Sequence, residues 1–262
     1  DCFFEKDVLA KIFVNSSKLL LNVDAIFSDM VCSENSRVIK ARGLLKIWIG
    51  NPCSHQSFFV KTHLMKERPF ELFVFDWDGT CMDTTHAIAC AIQEAARVLG
   101  LGVPSYETAE SVIGLGHKDM MSRAVPDCTD AIYPAYKAEY WKAYIKEEDR
   151  ITGLHPGMRE MLTAMKDAGL WSAIATGKSR AGLARVLAKT GSDGYFCASR
   201  TMDEAQSKPS PDMLRQLSDE CCVPISKIVM IGDAVHDLEM ANNAGAAAVG
   251  VTWGAGRREA LE

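Results

Sequence analysis

Asp76 and Asp78 stand two residues apart where the apolar run Leu72-Phe73-Val74-Phe75 ends, with Gly79 and Thr80 directly after them. Two carboxylates brought to one place can hold a hard cation, attack an electrophile or pass a proton. In a continuing strand they would face opposite ways; Gly79 lets the chain curl so that both converge. The plainer alternative is a strand closed by an Asp-Gly turn. The run Ile228-Val229-Met230-Ile231 breaks in the same manner into Gly232-Asp233, followed by Asp237, which could instead cap a helix.

Two other strand ends supply complementary groups. Ile174-Ala175 leads into Thr176-Gly177-Lys178-Ser179, where a hydroxyl, a flexible glycine and a helix N-terminus suit phosphate oxygens, although Thr-Gly is also an ordinary turn. In Ser207-Lys208-Pro209-Ser210-Pro211 the first proline keeps Lys208 extended at a helix entrance; a solvated surface lysine is the simpler reading. Gathered at one edge, the carboxylates of Asp76, Asp78, Asp233 and Asp237 would repel unless a cation is bound or some are protonated. Hard oxygen donors suit Mg²⁺ together with a substrate phosphate. Thr176 and Lys208 would then stabilise a transferring phosphoryl group while Asp76 attacks in line.

Such convergence needs parallel strands. Leu72 to Phe75 reads as a strand covered on both faces. After Asp83-Thr84-Thr85, an N-cap signal, Ile88, Ile92, Ala95 and Leu99 repeat with helical period until Gly100. Tyr133, Tyr136, Tyr140, Trp141 and Tyr144 share a face of another helix, read as the aromatic core of a small helical module in preference to a stacking platform for a ligand ring. From His155 onward, helices and short apolar strands alternate: a helical face at Met158 to Met165, a strand at Trp171 to Ala175, a helix at Ala181 to Lys189 and a strand at Tyr195 to Ala198. A helix at Pro211 to Cys222, a strand at Ile228 to Ile231, a helix at Leu238 to Asn243 and a strand at Ala246 to Val251 complete the series. This predicts an α/β fold with a doubly wound parallel sheet, right-handed crossovers and ligands at the carboxyl strand ends. Residues 65–83 and 155–262 form the predicted core, and the helical stretch 84–154 is an insert after the first strand.

The composition, 48% hydrophobic and 24% charged over 262 residues, is that of a globular chain of one or two domains. A formal net charge of -5 and no basic block argue against a nucleic-acid partner. No apolar run reaches the roughly 20 residues a membrane span needs, and the first residues lack the basic flank of a signal peptide. Nine cysteines without a CxxC pair, two of them adjacent at Cys221-Cys222, do not form a disulfide framework, so a cytoplasmic location is expected. Residues 1–64 carry no motif that attaches to chemistry. Met65 directly precedes the first confident strand, and the expectation is that the chain starts naturally there, with the preceding segment non-native.

The ordered set Asp76-Trp77-Asp78-Gly79-Thr80, Ala175-Thr176-Gly177-Lys178, Ser207-Lys208-Pro209 and Gly232-Asp233 with Asp237 resembles the haloacid dehalogenase superfamily, in particular its phosphoglycolate phosphatase-like members. The resemblance covers roughly residues 69 to 256. It implies a Rossmann-like core with a helical cap at 84–154, and a Mg²⁺-dependent phosphatase acting on a small phosphorylated metabolite. It implies Asp76 as the nucleophile forming an aspartyl-phosphate and Asp78 as the acid and base. Thr176, Gly177 and Lys208 would bind phosphate; Asp76, the Asp78 carbonyl and Asp233 would hold the metal, with Asp237 in support. Ile113-Gly114-Leu115-Gly116-His117-Lys118 resembles the loop that reads the substrate, so His117, Lys118 and Arg123 are candidates for that task, with ordinary surface charge as the simpler account of Lys118 and Arg123.

Ala234 and Cys81 depart from the family's usual Thr and Leu, which implies altered tuning without loss of a ligand. The chain stops at Glu262, where relatives continue into a further helix and strand. A monomer or homodimer is expected. A dehalogenase would not need Asp78. A phosphomutase of the same fold would keep all four motifs, a phosphate-accepting signalling module would not need the helical insert, and an inactive fragment would show no turnover.

Overall fold

The computed structural model describes the backbone at residues 44–48, 57–61, 70–148, 151, 153–256 and 261. At its centre lies a parallel sheet of five strands: β3 (Leu72–Phe75), β4 (Trp171–Ala175), β5 (Ala198–Arg200), β6 (Ile228–Gly232) and β7 (Ala247–Val251), in the order β7-β6-β3-β4-β5. β1 (Leu44–Trp48) and β2 (Ser57–Lys61) extend it antiparallel beyond β7. These two strands fall in the segment that offered no chemical motif; their apolar, aromatic composition is ordinary strand material. The expected start at Met65 lies outside the described residues.

β3 is buried along its whole length, and its side chains still alternate between two cores. Phe73 and Phe75 face a cluster with Met158, Met161, Leu162 and Met165 of α5 (Met158–Asp167) and Leu183, Val186 and Leu187 of α6 (Arg180–Thr190). Leu72 and Val74 face the other side, with Met213, Leu214 and Leu217 of α7 (Asp212–Cys221) and Met240 and Ala241 of α8 (Val235–Ala244). A strand apolar on both faces is what a helix-covered parallel sheet requires.

Between β3 and α5 run four helices: α1 (Thr85–Val98), α2 (Tyr106–Ser111), α3 (His117–Ala124) and α4 (Tyr133–Glu148). They close around a third, separate hydrophobic cluster built from Ile88, Ile92, Met121, Tyr136 and their neighbours. Tyr136 is fully buried there, its hydroxyl donating to the Ile92 carbonyl at 2.6 Å.

One expected strand is displaced. Tyr195 to Ala198 is not extended throughout: Asp193–Tyr195 forms a 3-10 turn and β5 begins only at Ala198. Phe196 instead turns inward, edge-on to Phe75 and Trp77 at 6.3 and 6.2 Å between ring centroids. Aromatic packing onto the core outweighs the local strand preference. The described cysteines are all free thiols.

Candidate active site

The sheet register makes the site. Phe75 pairs level with Ile174 of β4 and Ile231 of β6, so the loops after these three strands leave at one height. Asp76 N donates to Ile231 O at 2.9 Å, fixing the first acid as the strand ends. The chain then curls at Gly79, but the Asp78 carboxylate does not converge with that of Asp76: the acidic cluster is Asp76, Asp233 and Asp237. Gly79 takes φ +83°, and a Cβ there would come within 2.2 Å of Asp233 Oδ2, so the turn needs glycine for its conformation and for space. Three further bonds pin this loop: Gly79 N to Met82 O at 2.9 Å, Trp253 Nε1 to Thr80 O at 3.0 Å, and a 3.2 Å contact between His155 Nε2 and Gly79 O.

Lys208 is the hub of the buried charges. Its ammonium lies 2.6 Å from Asp76 Oδ1 and 2.6 Å from Asp237 Oδ1, with all three side chains almost wholly inaccessible. Burial opposes its charge, but Asp237 and Asp76 outweigh that and hold the lysine protonated beyond its ordinary range. Asp237 also does the helix work considered for it. Ala234, at the N-cap of α8, has no side-chain acceptor, and Asp237 Oδ2 accepts its N–H at 3.0 Å.

Asp233 is held by Thr80 Oγ1, which donates to Oδ1 at 2.8 Å, and by Ala255 N, which donates to Oδ2 at 2.7 Å. Burial, then Asp237, push its carboxyl up to about 7 against those hydrogen bonds. Asp76 is likewise raised well above the usual carboxylate range, first by burial, with Lys208 opposing and Asp237, Asp233 and Asp78 adding repulsion.

Asp76, Asp233 and Asp237 each place an oxygen within 4.8 Å of the others, and Asp76 Oδ2 is buried with no hydrogen-bond partner. Adding Asp78 gives four carboxylates against Lys178 and Lys208. An orphaned hard oxygen in such a charge deficit fits a divalent cation.

Asp78 stands apart from this cluster. Its Oδ1 accepts from Thr84 Oγ1 at 2.6 Å and pairs with Lys178 Nζ at 2.8 Å. Lys178 in turn donates to Tyr144 Oη at 3.1 Å. Thr84 was expected as an N-cap; it occupies that position in α1, but its hydroxyl makes no cap bond and serves the acid instead. Thr84 was not visible as a site residue in the sequence, and Tyr144 reads there as core in preference to a ligand platform. Lys178 lay inside a recognised motif without a role.

Thr176 is fully buried, and its hydroxyl accepts from Lys178 N at 3.2 Å. Gly177 is where the insert meets the core: a Cβ would lie 2.5 Å from the carbonyl oxygens of Gly114 and Leu115. Gly116 N donates to Ser207 Oγ at 2.7 Å beside it. The insert therefore sits closed on the strand ends. Of the three residues singled out in its loop, His117 is buried and lines a cavity of about 320 Å³ with Asp78, Gly177 and Lys178. Lys118 points away and pairs with Asp130 at 2.8 Å on the surface, and Arg123 is exposed; neither lines the cavity.

His117 has a predictable acid signature. Burial and the nearby Lys137 lower it to about 4 from 6.5, so it is neutral in the native state near pH 7 and must be protonated at a cost in acid. The stability it confers is complete above pH 6.5 and is lost as pH falls from there to about 4, amounting to roughly 3 kcal/mol. His117→Gln should therefore lose less stability than the parent protein between pH 6.5 and 4, read from urea midpoints. Parallel loss in both proteins would contradict the neutral buried imidazole.

An α/β sheet with a carboxylate cluster at its central strand ends and a helical insert closed over it places hard oxygen ligands where such sheets bind their substrates. The haloacid dehalogenase-like hydrolase family model matches residues 73–251, and the chain belongs to that family. It is similar to the phosphoglycolate phosphatase of Vibrio parahaemolyticus, 27% identical over 198 residues that cover 72% of this chain and 87% of the relative. It is 32% identical to the "Probable phosphatase IndB" of Dickeya dadantii over 189 residues, 70% of this chain and 81% of that one. A crystal structure of a predicted phosphoglycolate phosphatase from Haemophilus somnus superposes with a TM-score of 0.62 at 26% identity, covering 68% of this chain and 84% of the other. These matches make the chain an enzyme of the phosphatase class.

Proposed function

We propose that the chain is a Mg²⁺-dependent phosphatase that hydrolyses a small phosphomonoester of the 2-phosphoglycolate type through an aspartyl-phosphate. The observation that carries this is the division of labour at Asp76: Oδ1 is locked to Lys208, and Oδ2 is buried and unpartnered. One carboxylate oxygen of Asp76 attacks phosphorus as the bond to the leaving alcohol oxygen breaks, the other being left for the metal, and Asp78 gives the leaving oxygen its proton. Asp78 then takes a proton from water, whose oxygen attacks phosphorus, and Asp76 leaves as a carboxylate with inorganic phosphate released.

Asp76, Asp233 and the Asp78 carbonyl would hold Mg²⁺, with Asp237 in support; when bound, the ion neutralises charge on the phosphoryl oxygens. Lys208, the Thr176 hydroxyl and the Gly177 amide would meet the same oxygens. Asp78, in contact with Lys178 and Thr84, would take up from solvent the proton that it gives in the first step. The helical insert would serve as a cap that excludes water from the acyl-phosphate. No helix among the described residues is long and apolar enough to cross a membrane, and the free thiols suit a reducing cytoplasm.

The test is inorganic phosphate release from 2-phosphoglycolate and a panel of sugar phosphates, with and without Mg²⁺. Metal-dependent release over many turnovers is expected. Isomerised sugar phosphates without net phosphate would replace the phosphatase by a mutase, and a stable phospho-protein without turnover would replace it by a signalling module.

A further inference from the structure

The cavity of about 320 Å³ beneath the insert touches Asp78, Gly177 and Lys178 but not Asp76, Asp233 or Lys208. It therefore opens on the proton-donor side of the site, where the alcohol portion of a phosphate ester must lie, and not on the phosphate side. Its size falls within the range of about 300–1,000 Å³ typical of organic-ligand pockets. A two-carbon glycolate group would fill only a small part of it.

The walls are aromatic. Tyr140, Trp141 and Tyr144 of α4 line it together with His117. Tyr140 and Tyr144 are stacked at 5.9 Å with an interplanar angle of 10°, and Trp141 lies edge-on to both at 5.6 Å. This gives faces and edges suited to a flat ring.

The charges nearby are engaged. Lys178 pairs with Asp78, and Arg185 pairs with Glu148 at 3.0 Å while its guanidinium lies 5.8 Å from the Trp141 ring. Lys137 stands on the exposed rim. His117 belongs to the lining, and its Nε2 is buried without a hydrogen-bond partner, while its Nδ1 is 3.0 Å from Tyr133 Oη. An unpartnered buried polar atom on a residue that lines a cavity is a candidate partner for a ligand.

We infer that this chamber selects a phosphate ester of a ring-bearing alcohol, with the ring against Tyr140, Trp141 and Tyr144 and an uncharged polar substituent hydrogen-bonded to His117 Nε2. The inference rests on the phosphatase reading for its chemistry and narrows the substrate within it. The imidazole is neutral near pH 7 because burial and Lys137 keep its proton off, so it offers a hydrogen bond and not a charge. A short carboxylate would find neither a fitting wall nor an unpaired interior cation.

The probes are 3-hydroxybenzyl phosphate, benzyl phosphate and 2-phosphoglycolate, all esters of alkyl alcohols, so that leaving-group lability does not set the order. With Mg²⁺, kcat/KM should be at least tenfold higher for 3-hydroxybenzyl phosphate than for 2-phosphoglycolate. Trp141→Ala should reduce that ratio about tenfold, and His117→Phe should bring the two benzyl esters to equal rates. Binding to the Asp76→Asn protein, followed through quenching of tryptophan fluorescence, should show the same order of affinities.

Equal or better use of 2-phosphoglycolate, with Trp141→Ala lowering all three substrates alike, would overturn the inference. Should no ester be hydrolysed, the phosphatase reading fails on its own. The binding order in the Asp76→Asn protein then still decides this one: tighter binding of the benzyl esters supports it, and equal or weaker binding refutes it.

Discussion

Asp76→Asn should abolish phosphate release, with kcat falling by roughly 10⁴ or more, as for removal of a nucleophile elsewhere. The fold should survive. Asp76 lies in a cluster that burial and neighbouring carboxylates push toward the protonated state, so an uncharged isostere relieves repulsion, while Lys208 keeps Asp237 as its partner. Unfolding midpoints without metal should be equal to the parent's or higher. The two readouts separate chemistry from folding: lost turnover with a lower midpoint would point to a structural role, and retained turnover would remove Asp76 as the attacking group.

The second large effect belongs to Lys208→Met. The side chain lies between Asp76 and Asp237, 2.6 Å from each, and is itself inaccessible. Its removal leaves two buried carboxylates without their cation, a situation that typically costs about 3–5 kcal/mol. Removing a charge-stabilising donor should also lower kcat by about 10²–10³. Adding Asp237→Asn to Lys208→Met should restore much of the stability by removing one unpaired charge, yet restore none of the rate. Chemical denaturation and phosphate release on the single and double variants read the two effects apart, and a double variant as unstable as the single one would contradict the shared-cation geometry.

Much of this site was legible because parallel strands must end in loops at one edge. Apolar runs breaking into Asp76, Thr176 and Asp233 are visible without coordinates, and the register confirms that their strands lie side by side. The placement of β5 was not legible, since Tyr195 and Phe196 read as strand until their packing against the core is seen. Nor was the task of Thr84: its local pattern says N-cap, and only the return of the chain after Gly79 places Asp78 within its reach. The aromatic row on α4 carried two readings, and the structure divides it. Tyr136 fills the insert's core, while Tyr140, Trp141 and Tyr144 also face the cavity.

The sequence by itself determined the fold class and the carboxylates, because the spacing of apolar runs and the residues that end them are local properties of the chain. The tertiary structure decided how charge is apportioned among them. Lys208 holds Asp76 and Asp237, Lys178 holds Asp78, Lys118 turns outward to Asp130, and His117 turns inward without charge. Ion pairs and desolvation depend on distances of a few ångströms between segments as far apart in the chain as Asp76 and Lys208, and no local pattern sets those distances.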